Sequence, residues 1–215
     1  MKLIKSEKPI FKNPEYLLIN NWFTPEEEQR VWKELEFYTK TDSMERAENK
    51  NDTAKTESGE SKAKSYRMYL DNFYQGDKRH VSDILRYSQE GLSKETFHQG
   101  VKDKSPLYSR TFVNSNWHVT MLSYYEESDY YDAHFDAFHW TQLIWFFKEP
   151  KKFKGGNFLL TDFKIEFECT HNTMLMFPSY YEHAVRPVEL KEEDRNKGLG
   201  RYTITNFIMY DRTKQ

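Results

Sequence analysis

The run Tyr131-Asp132-Ala133-His134-Phe135-Asp136 places an imidazole and a carboxylate two positions apart in a stretch that otherwise reads as strand. Side chains at i and i+2 of a strand share a face, so His134 and Asp136 can grip one metal ion from one side. A second imidazole, His183, lies downstream in Phe177-Pro178-Ser179-Tyr180-Tyr181-Glu182-His183-Ala184-Val185, a short aromatic and β-branched run bounded by turn formers. Two imidazoles and one carboxylate can hold a divalent transition metal on one face and leave its other positions open for reactants. Alone, a His-x-Asp pair is a weak signal in a chain with seven histidines and 34 acidic residues. Its weight comes from the segments downstream of it.

Lys154-Gly155-Gly156-Asn157-Phe158-Leu159-Leu160 reads as a turn feeding a strand. Asn172-Thr173-Met174-Leu175-Met176-Phe177-Pro178-Ser179 reads as a turn and a short buried strand, and Gly200-Arg201-Tyr202-Thr203-Ile204-Thr205 as a glycine leading into the last strand. With these in order, the chain resembles the prolyl 4-hydroxylase-like branch of the 2-oxoglutarate- and Fe(II)-dependent dioxygenases. The resembling residues are Tyr125, Tyr131 to Asp136, Gly155-Gly156, Leu175 to Ser179, His183 to Val188 and Arg201 to Thr205, which span the C-terminal half from about Trp117 to Tyr210. The resemblance implies a mainly β fold with flanking helices, a double-stranded β-helix or cupin-like jelly-roll. It also implies an oxidoreductase that couples oxidative decarboxylation of 2-oxoglutarate, releasing succinate and CO2, to hydroxylation of a C–H bond. Fe(II), 2-oxoglutarate and O2 are its implied cofactors, with ascorbate as an optional addition, and His134, Asp136 and His183 are the implied metal ligands and catalytic centre.

The distal carboxylate of 2-oxoglutarate is a planar anion taken out of water, and a guanidinium matches it with two parallel hydrogen bonds. Arg201 and Thr203 stand at i and i+2 of the last strand and share a face, so Arg201 is the expected anchor with Thr203 beside it. Arg186 is the rival, but it comes three residues after His183 and points to the opposite face if the strand is regular. By the resemblance Tyr125 helps to bind the cosubstrate and Tyr131 borders the substrate, while His139 is the remaining histidine expected near the pocket. Two departures bear on the substrate: Ser128 stands where the family carries a glycine, and Phe207 where it commonly carries a tryptophan. A peptide or protein prolyl residue leads as substrate, followed by a free amino acid or another small metabolite. A nucleic-acid demethylase of the same superfamily would share ligands and cosubstrate, and a metal-dependent cupin isomerase or lyase would need no arginine anchor.

Composition sets limits. The net charge of −2 argues against a general polyanion-binding surface, so nucleic-acid binding is not expected and the lysines at 148, 151, 152 and 154 read as a solvated loop. One cysteine, Cys169, excludes an intrachain disulfide framework and suits a reducing compartment. No run approaches the ~18 apolar residues of a membrane span, and the N-terminus shows no apolar signal core, so a cytoplasmic protein is expected. Its oligomeric state is left open.

One domain over residues 1–215 is expected, with 101–215 as the catalytic core and 1–100 as strand and helical support. In the support, Tyr16 to Ile19 reads as a strand and Thr24-Pro25-Glu26-Glu27 as a helix start with N-cap, first-turn proline and capping box. Val31, Leu35 and Tyr38 then recur at helical spacing, and Val81, Ile84, Leu85 and Tyr87 suggest a second helix. Between them residues 41–65 are Ser-, Glu-, Lys- and Asn-rich with Met44 as the one large apolar residue, which predicts a mobile polar loop, either a plain surface loop or a lid.

Overall fold

The computed structural model describes residues 14–49, 53–93, 95–102 and 105–214. Its strands, in chain order, are β1 (Leu17–Asn20), β2 (Glu45–Arg46), β3 (Ala63–Lys64), β4 (Tyr66–Tyr69), β5 (Trp117–Tyr125), β6 (Tyr130–His134), β7 (Trp140–Phe146), β8 (Phe153–Gly155), β9 (Phe158–Leu160), β10 (Ile165–Phe167), β11 (Thr173–Pro178), β12 (His183–Val185), β13 (Val188–Leu190) and β14 (Arg201–Met209). The helices are α1 (Pro25–Lys40), α2 (Asp83–Ser93), α3 (Glu95–Lys102) and α4 (Pro106–Thr111). Seven strands form one sheet in the order β1-β11-β7-β14-β5-β4-β2, five form a second in the order β10-β9-β12-β6-β3, and β13 and β8 form a separate pair. The strand pairs are antiparallel throughout, as a jelly-roll requires.

Alternation along the central strands divides the large sheet into two faces. On β14, Tyr202, Ile204 and Ile208 join Leu122 and Tyr124 of β5 and Ile144 and Phe146 of β7 in a core with helix residues Val31, Leu35, Ile84, Leu85 and Leu92. The opposite face sends Leu143, Trp145, Leu175 and Phe177 against Phe158, Leu160, Phe167 and Val185 of the small sheet. The molecule is therefore three layers: helices, large sheet, small sheet. Full burial of a residue such as Val31 or Leu35 contributes ~1.5–3 kcal/mol, so the helical stripe is held by the sheet rather than by propensity.

The α1 start follows the sequence closely. Glu27 N–H donates to Thr24 Oγ1 at 3.3 Å and Thr24 N–H to Glu27 Oε2 at 2.8 Å, a complete capping box with Pro25 in the first turn. α2 begins at Asp83, so Val81 falls before it and is exposed. Beneath α2 the large sheet carries a buried polar ladder: Thr120 Oγ1 donates to Asn206 Oδ1 at 2.6 Å, and Asn206 Nδ2 to Gln142 Oε1 at 2.5 Å. These residues are register partners on β5, β14 and β7, so each satisfies a neighbour that could not reach water.

Two expectations need correction. The boundary at residue 100 does not separate support from core, because β1, β2 and β4 are strands of the large sheet and β3 of the small one. The described part of the polar segment 41–65 is hydrogen-bonded structure rather than an unstructured loop. β2 pairs with β4, β3 pairs with β6, and Lys55 bridges Ser61. Composition missed this because the anchors are small or polar: Ala47 and Ala63 are buried, Lys62 Nζ donates to the Ala133 carbonyl at 2.6 Å, and Arg46 holds the buried Asp129 through two bonds at 2.8 and 2.9 Å.

Candidate active site

β6 and β12 are adjacent, and their register sets His134 directly opposite His183. The two imidazoles lie 4.3 Å apart between centroids. β6 ends at His134, so Asp136 is not a strand residue; its backbone N–H donates to the Ser179 carbonyl at 3.0 Å, which returns the side chain to the histidine face. The ligating atoms of His134, Asp136 and His183 fall within 4.8 Å of one another. His134 Nε2 is 3.7 Å from Asp136 Oδ1, and His183 Nε2 is 3.4 Å from Asp136 Oδ2.

The surrounding bonds fix which atoms face the centre. His134 Nδ1 lies 2.8 Å from the Asp132 carbonyl and His183 Nδ1 2.8 Å from the Tyr181 carbonyl. A carbonyl only accepts, so each Nδ1 carries a proton and each Nε2 is left facing the centre, the orientation a metal needs. Thr141 Oγ1 donates to Asp136 Oδ2 at 2.7 Å, and Ser179 Oγ, 2.8 Å from Thr141 Oγ1, supplies that hydroxyl with a proton in turn. Burial acts to raise the Asp136 pKa, but the neighbouring His183 and His134 imidazoles and the Thr141 bond outweigh it and hold the carboxyl below its usual value. Burial, with the neighbouring His183, pushes His134 down to about 4, so it stays neutral where an ordinary imidazole is already protonated.

Arg201 stands on the inner face of β14, 1% exposed, in a cavity of about 400 Å3 that it shares with the three candidate ligands. Its Nη1 donates to Thr203 Oγ1 at 2.6 Å, and its guanidinium lies 4.8 Å over the Tyr125 ring. Nε and Nη2 are buried without a partner among the described residues. Buried donors are almost always bonded, so two of them on one cation mark a place for an anion. Gly156 allows this packing: with φ of 66°, a Cβ there would meet Arg201 Cδ at 3.0 Å. Arg186 is on the outside, more than half exposed and 3.6 Å from Glu166, even though the β12–β6 register shifts just after His183.

Tyr131 stacks on His134 at 3.6 Å and 11°, and its hydroxyl accepts from the Ala54 N–H at 3.4 Å. It thereby ties the 53–64 segment, whose Thr53 and Ala54 line the cavity, to a candidate ligand. His139 is not among the cavity-lining residues. It closes the link between β6 and β7, with its backbone N–H on the Ile208 carbonyl and its ring accepting the Tyr210 N–H at 3.4 Å. Three inward residues drew no notice in the sequence: Thr141; Arg67 on β4; and Trp145, buried with its indole N–H unpartnered among the described residues. Inward alternation along their strands was the signal for all three.

Residues 120–209 match the family model of the 2OG-Fe(II) oxygenase superfamily. The matched region is that of a 2OG-Fe(II) oxygenase. It runs from β5 to the end of β14 and so holds the His134, Asp136, His183 cluster and Arg201. Solved structures share the oxygenase fold at low identity. A prolyl-4-hydroxylase from Pseudomonas putida superposes with a TM-score of 0.55 at 14% identity, over 92% of this chain and 94% of its own. A prolyl hydroxylase from Trichoplax adhaerens, solved with a hypoxia inducible factor oxygen degradation domain peptide fragment, gives 0.61 at 14% over 90% and 83%. A prolyl 4-hydroxylase from Phytophthora capsici gives 0.58 at 13% over 94% and 61%. No curated protein matches the chain by sequence. Fe(II), 2-oxoglutarate and O2 are the family's cofactors, and the residues here fit them: two inward-facing imidazole nitrogens and a carboxylate for the metal, and for the dicarboxylate a buried guanidinium with two donors unpartnered among the described residues.

Proposed function

We propose that the protein is a 2-oxoglutarate- and Fe(II)-dependent dioxygenase that hydroxylates a C–H bond of a prolyl residue in a peptide or protein, releasing succinate and CO2. The observation that carries this reading is Arg201: a buried cation with two donors unpartnered among the described residues, in the same cavity as two imidazoles and a carboxylate. An isomerase or lyase on a similar barrel does not require such an anchor. His134 Nε2, His183 Nε2 and an Asp136 oxygen would hold the iron, and Arg201 the distal carboxylate of 2-oxoglutarate, with Thr203 fixing the guanidinium plane and Tyr125 supporting it from below. When bound, the iron would bring dioxygen, the oxidant, together with two reductants, 2-oxoglutarate, which gives up two electrons in becoming succinate and CO2, and the substrate C–H bond, which gives up the other two.

The chain's own residues hold, orient and keep dry. Thr141 keeps one Asp136 oxygen hydrogen-bonded, so the carboxylate presents a set face to the metal. Tyr131 braces His134 and, through Ala54, brings the 53–54 segment across the cavity, where it excludes water. Met121, Leu143, Phe138 and Phe207 form an apolar wall suited to a pyrrolidine ring, with Phe138 stacked on Phe207 at 4.8 Å. The peptide held by the Trichoplax relative supports a polypeptide substrate. The test is succinate release from 2-oxoglutarate with Fe(II), in the presence and absence of proline-containing peptides, with mass spectrometry for an added oxygen on proline. Succinate release that no proline peptide stimulates, with no oxidised proline, would refute the prolyl reading; no succinate release under any of these conditions would refute the oxygenase.

A further inference from the structure

Arg67 is a second guanidinium lining the cavity, and 2-oxoglutarate anchored on Arg201 does not use it. It sits on β4, 5% exposed, with its guanidinium carbon 5.9 Å from the Tyr69 ring centre. Its register partner on β5 is Ser123, whose own partner on β14 is Thr203. Arg67 is thus two strands away from Thr203 and one further two-residue step from Arg201. With strands ~4.8 Å apart and ~3.4 Å per residue, the two arginine Cα atoms are about 12 Å apart on one face. Strand side chains rise roughly perpendicular to the sheet, so the two arginines stand over different parts of one cavity wall. Arg67 and Arg201 are the cationic side chains among the described lining residues; Ser123 lies beside Arg67, and the lining beyond it carries Tyr69 and the apolar Met121 and Phe207.

We propose that Arg67 is a specificity-determining residue that binds a carboxylate carried by the substrate. The substrate class is then a prolyl peptide with an acidic group next to the oxidised ring, either an Asp or Glu side chain or a C-terminal carboxylate. This inference rests on the dioxygenase reading and narrows it. A guanidinium carries five donors, so a protein partner does not exhaust it, and its planar fork fits a carboxylate. A single guanidinium matches a carboxylate better than a phosphate, which calls for further cations or a nest of backbone N–H groups. The apolar wall takes the ring while Arg67 takes the charge, and the neutral amide analogue loses the charge-assisted bond.

The experiment uses the full chain loaded with Mn(II) and an inert 2-oxoglutarate analogue, titrated calorimetrically with peptide pairs. One pair is an end-capped peptide containing Pro-Asp and its Pro-Asn twin; the other ends in proline with a free carboxylate or with an amide. At least one carboxylate peptide is expected to bind the parent about tenfold or more tighter than its neutral twin. Which pair shows it distinguishes side-chain from terminal carboxylate. Arg67→Gln should erase the difference, Arg67→Lys should keep part of it, and both should bind 2-oxoglutarate itself, with Mn(II) and no analogue, as the parent does, which also shows that they fold. Equal binding of twins by the parent, no binding of any peptide, discrimination that survives Arg67→Gln, or a matching loss of 2-oxoglutarate affinity would each overturn the inference. Failure of the dioxygenase reading is a separate result: a Mn(II)-loaded parent that does not bind 2-oxoglutarate.

Discussion

Replacing Arg201 with methionine keeps a long apolar stem beside Gly156 and Tyr125 and removes the fork. In the parent, Nη1 is engaged with Thr203 while Nε and Nη2 have no partner among the described residues, so two donors are in place for a carboxylate. Each charge-assisted bond contributes ~1.5–3 kcal/mol, so two contribute ~3–6 kcal/mol and their loss should raise the Kd for 2-oxoglutarate by about a hundred- to ten-thousandfold. The measurement is calorimetric titration of 2-oxoglutarate into Mn(II)-loaded protein, preceded by titration of Mn(II) itself, which should be unchanged because Arg201 is not a metal ligand. Arg186→Met is the control. Arg186 is exposed and paired only loosely with Glu166, a contact worth ~0–1 kcal/mol to stability, and it does not line the cavity, so its loss should leave 2-oxoglutarate affinity within a factor of two or so. An Arg201→Met protein that binds 2-oxoglutarate within about fivefold of the parent, or an Arg186→Met protein that loses as much, would show that the Arg201 guanidinium is not the anchor.

Thr141→Val removes the 2.7 Å bond to Asp136 Oδ2 at nearly constant volume and should weaken Mn(II) binding ~10–100-fold while leaving 2-oxoglutarate selectivity alone; metal titration reads it. The His134 pKa, lowered to about 4 in the folded chain against an ordinary 6.5, gives a pH prediction for the metal-free protein. As pH falls from about 6.5 to about 4 the unfolded chain binds a proton that the folded chain refuses, so the His134 contribution to stability should drop by roughly 3 kcal/mol over that window and level off below it; urea midpoints for the parent and His134→Asn should diverge in slope there, and parallel curves would sink the argument. Arg46→Met leaves the buried Asp129 without its bidentate partner, a loss of ~3–5 kcal/mol for such a pair, and should speed hydrogen exchange in residues 53–64 more than in α1.

The sequence by itself determined the local structure that short-range rules govern. The α1 start at Thr24, the stripe of Val31, Leu35 and Tyr38, the last strand beginning at Arg201 and the shared face of Arg201 and Thr203 all follow from capping chemistry and the periods of helix and strand. It also pointed to His134, Asp136 and His183 as a set, because residue types able to hold a metal stand in strand-like runs. Only the tertiary structure decided how the set is assembled. His134 and His183 are 49 residues apart and meet because β6 and β12 pair in one register, a long-range fact that no window of sequence contains. Asp136 reaches them from beyond the strand end because Ser179 catches its backbone and Thr141 its side chain. His139 has the right residue type and a nearby position, yet β14 and Tyr210 claim it. The polar segment illustrates the same limit: its composition promised disorder, but pairing with β6 and the Arg46–Asp129 contact depend on partners far along the chain. Arg67 was silent for the same reason, since an arginine on a four-residue strand becomes a cavity residue only when β4 is docked beside β5 and its inner face is closed over by the second sheet.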